Sequence, residues 1–206
     1  MNILKFPKIK PGLRFYSQGQ LINNRIREYF YFINNRGELF LQDSKYKTIA
    51  TRYNDEKFLY NFFQNLRLNT SNRYKEFKHV YLCEGERNYL ICQDTPIVYT
   101  DLIDVRKDDC DKDNVSNQYL NQLYQTSSDN LALIYNNCLR LTTNFDPSKI
   151  NVKTEGKIYY RNKYKSNSIV KSALADILAQ RFVFDCNDKL PTHIEWNNYK
   201  YSLIHT

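Results

Sequence analysis

The chain has 206 residues, 42% of them apolar, which supplies the core of one ordinary domain and is too short for several. Its formal net charge is +8, and its aromatic residues are 18 Tyr and 12 Phe against a single Trp. The five cysteines, Cys83, Cys92, Cys110, Cys138 and Cys186, form no CxxC pair, which argues against a secreted disulfide framework and for a reducing compartment. No apolar run reaches the ~20 residues that a membrane span needs.

Half of the net charge is accounted for at the start. Setting aside Lys5, Lys8, Lys10 and Arg14 reduces the net charge from +8 to +4, an ordinary value for a globular domain, so nucleic acid is not favoured as a partner. Residues 1–27 contain no Asp or Glu and add Arg25 and Arg27. An acid-free basic start is how a mitochondrial presequence reads, because the membrane potential draws positive charge inward. Arg14-Phe15-Tyr16-Ser17 resembles a processing site with arginine three residues before the cut. Residues 1–16 are therefore expected to be a matrix-targeting presequence and 17–206 the mature domain. Pro7, Pro11 and Gly12 interrupt any amphipathic helix in the leader.

In chain order, residues 28–33 (EYFYFI) and 38–42 (ELFLQ) flank Asn34-Asn35-Arg36-Gly37 and predict a β-hairpin. A helix follows, with Asn54 as its cap and Phe58, Leu59, Phe62, Phe63 and Leu66 on one face. Residues 77–83, 89–93 and 97–102 read as a β-meander, with a polar turn at 84–88. Residues 104–130 are polar and predict an exposed insertion dividing the chain into halves 17–103 and 131–206. Strands are expected at 131–134, 138–142 and 157–160. A second helix is expected to be capped by Ser166 or Ser168 and to bury Ile169, Val170, Ala173, Leu174, Ile177 and Leu178. Residues 182–184 predict a strand, and a last hairpin turns at Asn197-Asn198, where paired Asn tolerates the left-handed backbone. The expected fold is α+β, with antiparallel hairpin and meander sheets packed by two main helices. Because each helix follows a Gly-led strand, two degenerate strand-helix-strand-strand units are also expected.

Chemistry-bearing motifs are scarce. There is no phosphate-binding glycine loop, no HExxH and no GxSxG, and the pattern implies no cofactor. His79, Cys83 and Cys92 match no common zinc spacing, so no metal site is expected. The densest polar group is Glu84, Glu86, Arg87, Asn88 and Asp94, around a hairpin tip. Such a loop can present carboxylates and a guanidinium to a ligand, or simply be a solvated turn.

Five segments carry a family resemblance: 16–20 (YSQGQ), 27–31 (REYFY), 37–41 (GELFL) followed by Asp43-Ser44, 83–90 (CEGERNYL), and 94–98 (DTPIV). With 145–147 (FDP) and 170–175 (VKSALA), they resemble the uncharacterised protein family UPF 0598 over residues 16–204. The resemblance implies a mitochondrial-type member, and it supplies no activity or catalytic residue. The leading expectation is a non-enzymatic matrix protein binding a protein or small-molecule partner. The alternatives are a matrix enzyme using the Glu84–Asp94 loop, and an RNA- or ribosome-associated protein presenting Lys, Arg and Tyr on one sheet face.

Overall fold

A computed structural model describes residues 16–23, 25–106, 123–162, 166–186 and 189–205. Most of the expected leader and the middle of the polar stretch, 107–122, lie outside the described residues. Among the described residues the fold is α+β and rich in strand.

The first sheet contains β1 (Gln20–Ile22), β2 (Ile26–Ile33), β3 (Leu39–Leu41), β4 (Leu66–Leu68), β5 (His79–Cys83) and β6 (Glu86–Cys92). Its order is β1-β2-β6-β5-β4. β1 and β3 share one edge of β2, at Gln20↔Glu28 and Ile33↔Leu39. Between them, the Gln18 side chain donates to the Phe30 carbonyl at 2.8 Å and accepts from the Phe30 amide at 2.9 Å, filling the gap in the ladder. β2 pairs with β6 in parallel from Arg27↔Glu86 to Ile33↔Cys92. A strand covered on both faces reads as an uninterrupted apolar run, which is what residues 29–33 show, with Glu28 as the exception just before them.

The second sheet is β16-β10-β11-β12-β7-β8-β9, and the third is β13-β14-β15. Their strands are β7 (Val98–Asp104), β8 (Leu131–Tyr135), β9 (Cys138–Asn144), β10 (Ile150–Val152), β11 (Ile158–Arg161), β12 (Asn167–Val170), β13 (Phe182–Val183), β14 (His193–Trp196), β15 (Tyr199–Ser202) and β16 (Ile204–His205). Parallel pairs again join distant segments, β7 with β12 and β10 with β16. In the first sheet β3, β2, β6, β5 and β4 lie side by side. In the second half β11, β10 and β16 do, and the chain passes through Leu203 into β15, β14 and β13. If β15 and β16 are taken as one strand bent at Leu203, the two orders coincide.

Several expected boundaries move. Helix α1 is Glu56–Gln64, and its cap is Asp55 rather than Asn54, the Asp55 carboxylate accepting from the Phe58 amide at 2.6 Å. Leu66 opens β4 instead of extending the helical face. The polar turn at 84–88 shrinks to Glu84-Gly85, because Glu86, Arg87 and Asn88 already pair in β6. The three-strand meander is split, since β7 joins the second sheet. Helix α2 is Ser172–Ala179, with Lys171 at its cap. Ser168, Ile169 and Val170 belong to β12, so the apolar spacing there mixes two periods. Ile169 faces the core containing α1, and Val170 faces the core containing α2. The polar stretch is not exposed throughout. Asp104, Leu123, Tyr124 and Thr126 are buried.

Two turns interlock between the halves. Asn136 and Asn137 turn β8 into β9 with φ of 56° and 51°. The buried Asn136 side chain accepts from the Val98 amide at 2.8 Å and donates to the Pro96 carbonyl at 3.0 Å. Asn137 donates to the Arg36 carbonyl at 2.8 Å. Gly37 sits against this turn with φ +73°, and a Cβ there would lie 2.9 Å from Thr100 Cγ2 and 3.0 Å from Asn136 Cα.

A third cluster, Phe30, Phe77, Val80 and Tyr89, lies on the face of the first sheet away from α1. Tyr16 closes it, stacking on Phe30 at 4.0 Å and meeting Phe77 edge-on at 5.4 Å. A cut between Tyr16 and Ser17 would remove this ring. A chain starting at Ser17 is expected to be about 1.5 kcal/mol less stable than one starting at Tyr16, read as a shift of the urea midpoint. Equal midpoints would show that the ring contributes nothing.

Candidate functional site

Side chains alternate across a pleated strand, so β6 sends its candidates to opposite faces. Glu86 and Asn88 share the face of Tyr29 and Tyr81, in the register Tyr29↔Asn88↔Tyr81. Arg87 shares the other face with Glu28. Glu84 is exposed on the two-residue tip. Asp94 lies beyond the end of β6, where its carboxylate accepts from the Tyr159 hydroxyl at 2.7 Å. The five candidate residues therefore do not converge on one point.

The polar centre on the Arg87 face is Glu28, which is 0% exposed. One of its carboxylate oxygens accepts from the Gln20 amide at 2.8 Å, the Tyr74 hydroxyl at 2.8 Å and Arg73 Nη2 at 3.3 Å. The other faces the Tyr89 hydroxyl at 3.4 Å and Arg87 Nη1 at 3.8 Å. A buried carboxylate needs this many donors to offset its lost hydration. Burial first, and then the neighbouring carboxylate, pushes both phenols up, so they remain protonated donors.

The loop after β4 carries Arg73 and Tyr74 over this centre. Tyr74 has φ +48°, a strained value for a bulky residue. The Asn69 side chain clamps the loop by donating to the carbonyls of Arg73 at 3.0 Å and Phe77 at 2.9 Å. Glu28, Gln20, Arg73 and Tyr74 were absent from the sequence-derived candidates. The available signal was an ionisable residue inside an aromatic strand, which always requires a partner.

The opposite face carries Tyr29, Tyr31, Tyr81 and Asn88, with Glu86 two residues before Asn88. Asn88 is 1% exposed and its Oδ1 has no hydrogen-bond partner, while its Nδ2 reaches only the Tyr81 carbonyl at 3.5 Å. Phe62 of α1 stands 5.5 Å from the Tyr81 ring and 5.2 Å from the Tyr31 ring. Tyr53 meets Tyr31 at 5.5 Å, and burial pushes both phenols above the usual tyrosine range.

Among the described residues no three His, Cys, Asp or Glu side chains gather to hold a metal. His79 Nδ1 and Cys92 Sγ are 3.8 Å apart, while Cys83 is exposed at the far end of β5. Among the described residues no helix is long and apolar enough to cross a membrane.

A crystal structure of a DUF1285 family protein from Silicibacter pomeroyi DSS-3 is similar to this chain with a TM-score of 0.43 and 10% identity, covering 92% of this chain and 90% of that one. The family model described as a domain of unknown function, DUF4505, matches residues 18–206. That span takes in the Gln18 and Gln20 segment, the Glu28 cluster and all three sheets, and the chain belongs to the DUF4505 family.

Proposed function

We propose that this chain is a non-enzymatic mitochondrial matrix protein, a mitochondrial-type member of UPF 0598, that binds an acidic partner or ligand at the Arg73–Arg87 rim above Glu28. One observation carries the reading. Two guanidinium groups share a single buried carboxylate, which leaves the cluster with a surplus positive charge, and their side chains are 42% and 34% exposed. An anchored guanidinium with free N–H groups is pre-organised for carboxylate or phosphate. The same reading takes the matching strand orders of the two halves as two degenerate units.

Less supports the enzyme reading. Glu84 is solvated, Asp94 is held by Tyr159, and Glu28 has no exposed surface to offer a substrate. The RNA reading needs open tyrosine faces beside the basic groups; Tyr89, Tyr99, Tyr124, Tyr159 and Tyr160 are buried in the cores, which leaves Tyr46 and Tyr199 as the widely exposed tyrosines among the described residues.

The test is affinity purification of the tagged chain from mitochondria, with mass spectrometry of every protein and small molecule retained. The expected result is one stoichiometric acidic partner or anionic ligand that is released by raised salt and lost in Arg73→Gln. Recovery of a metabolite that the protein converts on incubation would move the weight to the enzyme. Absence of the protein from mitochondria would refute the location.

A further inference from the structure

Among the described residues two carboxylates, Glu38 and Glu28, are each shared by two arginines. At Glu38 the guanidinium donors are spent within the protein. Arg36 gives its fork to the carboxylate, Nε at 2.9 Å and Nη2 at 2.8 Å, and the Nε of Arg52 goes to Asn54. At Glu28 neither fork is spent on the carboxylate. Arg73 makes its hydrogen bonds through Nη2 alone, to Glu28 at 3.3 Å and to the Tyr74 hydroxyl at 3.1 Å. Arg87 reaches Glu28 through Nη1 at 3.8 Å, the length of an ion pair without a hydrogen bond. A guanidinium carries five N–H donors, so most of those on this pair are left to solvent or a ligand.

Both groups are nonetheless held in place. The Arg73 guanidinium lies over the Tyr74 ring at 5.2 Å, and Arg87 projects from β6 beside the Tyr89 phenol. Each faces a different oxygen of the same carboxylate, so the two charges are neighbours. An anion that bridges them offsets their mutual repulsion. A carboxylate brings two oxygens and one charge. A phosphate monoester brings three terminal oxygens and up to two charges, and its tetrahedral oxygens can accept from two guanidinium groups at once. Leu82 pairs with Arg87 across β5 and β6 and is 43% exposed, so an apolar surface lies beside the charged heads.

We infer, on the basis of the rim proposed above, that Arg73 and Arg87 form a clamp for the dianionic phosphate of a phosphate monoester, with Leu82 against the carbon skeleton of the ester.

The clamp is tested by calorimetric titration of the full chain with N-acetyl-phosphoserine amide, glycerol 2-phosphate, sulfate and glutarate. Both esters are expected to bind at least tenfold tighter at pH 7.5 than glutarate, a dicarboxylate of equal charge. Arginine does not titrate, so the esters should tighten about tenfold between pH 5 and pH 7.5 as the second phosphate proton, with a pKa of about 6, is lost. Sulfate keeps its double charge over this range and should show no change, which separates titration of the ligand from titration of Glu28, Tyr74 or Tyr89. Arg87→Lys keeps a charge opposite Glu28 but has no fork. It is expected to weaken the esters at least tenfold with an unchanged melting temperature. If that variant does not fold, Arg73→Lys serves instead. Tighter binding of phosphoserine points to a protein-borne ester and tighter binding of glycerol phosphate to a free one, and either outcome supports the clamp. Equal affinity for glutarate, a sulfate profile that moves with the esters, or unchanged ester affinity in a folded lysine variant would overturn the clamp while leaving an acidic ligand at the rim. If none of the four probes binds, the clamp and the rim both fall.

Discussion

Glu28→Ala is expected to lower the stability of the folded chain by about 3 kcal/mol. The substitution removes the common acceptor of Gln20, Tyr74 and Arg73 and the counter-charge of Arg87. Breaking a fully buried pair costs about 3–5 kcal/mol, and the lower end applies here because both arginines can turn partly to water. The Tyr89 and Gln20 groups have less freedom to do so. Glu28→Gln keeps one acceptor oxygen in place and is expected to cost only about 1–2 kcal/mol. Urea unfolding of the two variants measures both values. A loss below about 1 kcal/mol for Glu28→Ala would show that water replaces the carboxylate, and that the cluster does not anchor the loop carrying Arg73 and Tyr74.

Asn136→Ala is expected to cost a similar amount, about 3 kcal/mol. Alanine cannot replace the two side-chain hydrogen bonds, so the Val98 amide and the Pro96 carbonyl lose their partner at a buried site, worth about 2 kcal/mol. Alanine also tolerates the left-handed backbone at φ 56° less well than asparagine, worth about 1 kcal/mol. Asn136→Gly relieves the second cost and not the first, so it should recover about a third of the loss. Because Asn136 also packs against Gly37, thermal unfolding should remain one transition in wild type and variant, with only the midpoint displaced. A second transition in the variant would show that the halves unfold separately.

The hairpins were legible because their turns are chemically explicit. Asn34 to Gly37 and Asn197-Asn198 mark tight reversals, and the flanking strands pair as expected. Strand partners further along the chain were not legible. The apolar run of β2 shows that both its faces are covered, but nothing in it names β6 as its parallel neighbour. Helix ends failed where strand and helix patterns abut. Ile169 and Val170 fit a helical face with Leu174 and Leu178, yet they face two different cores from β12. The polar cluster at the β5–β6 tip was visible as composition. Its division between two faces follows from where β6 begins, and a strand starting at Tyr89 instead of Glu86 conceals the pleat. Glu28 was hidden for a related reason. Within residues 28–33 it looked like the edge of an apolar segment, when it sits inside the strand facing Arg87.

The three parallel pairings also bear on how the chain reaches this fold. Arg27↔Glu86, Val98↔Ile169 and Asn151↔Ile204 each join positions roughly fifty to seventy residues apart. The loop-closure entropy for such pairings comes before the contacts that reward it, which places folding in the millisecond-to-second range. During that interval β2 is an unpaired, aromatic, β-prone segment of the kind that associates with other chains. Its one carboxylate, Glu28, stays hydrated beside Arg27 until β6 and the Tyr74 loop arrive, and hydrated charges oppose pairing with other chains. The group that locks the finished sheet thus also acts as a gatekeeper against aggregation while the sheet is incomplete.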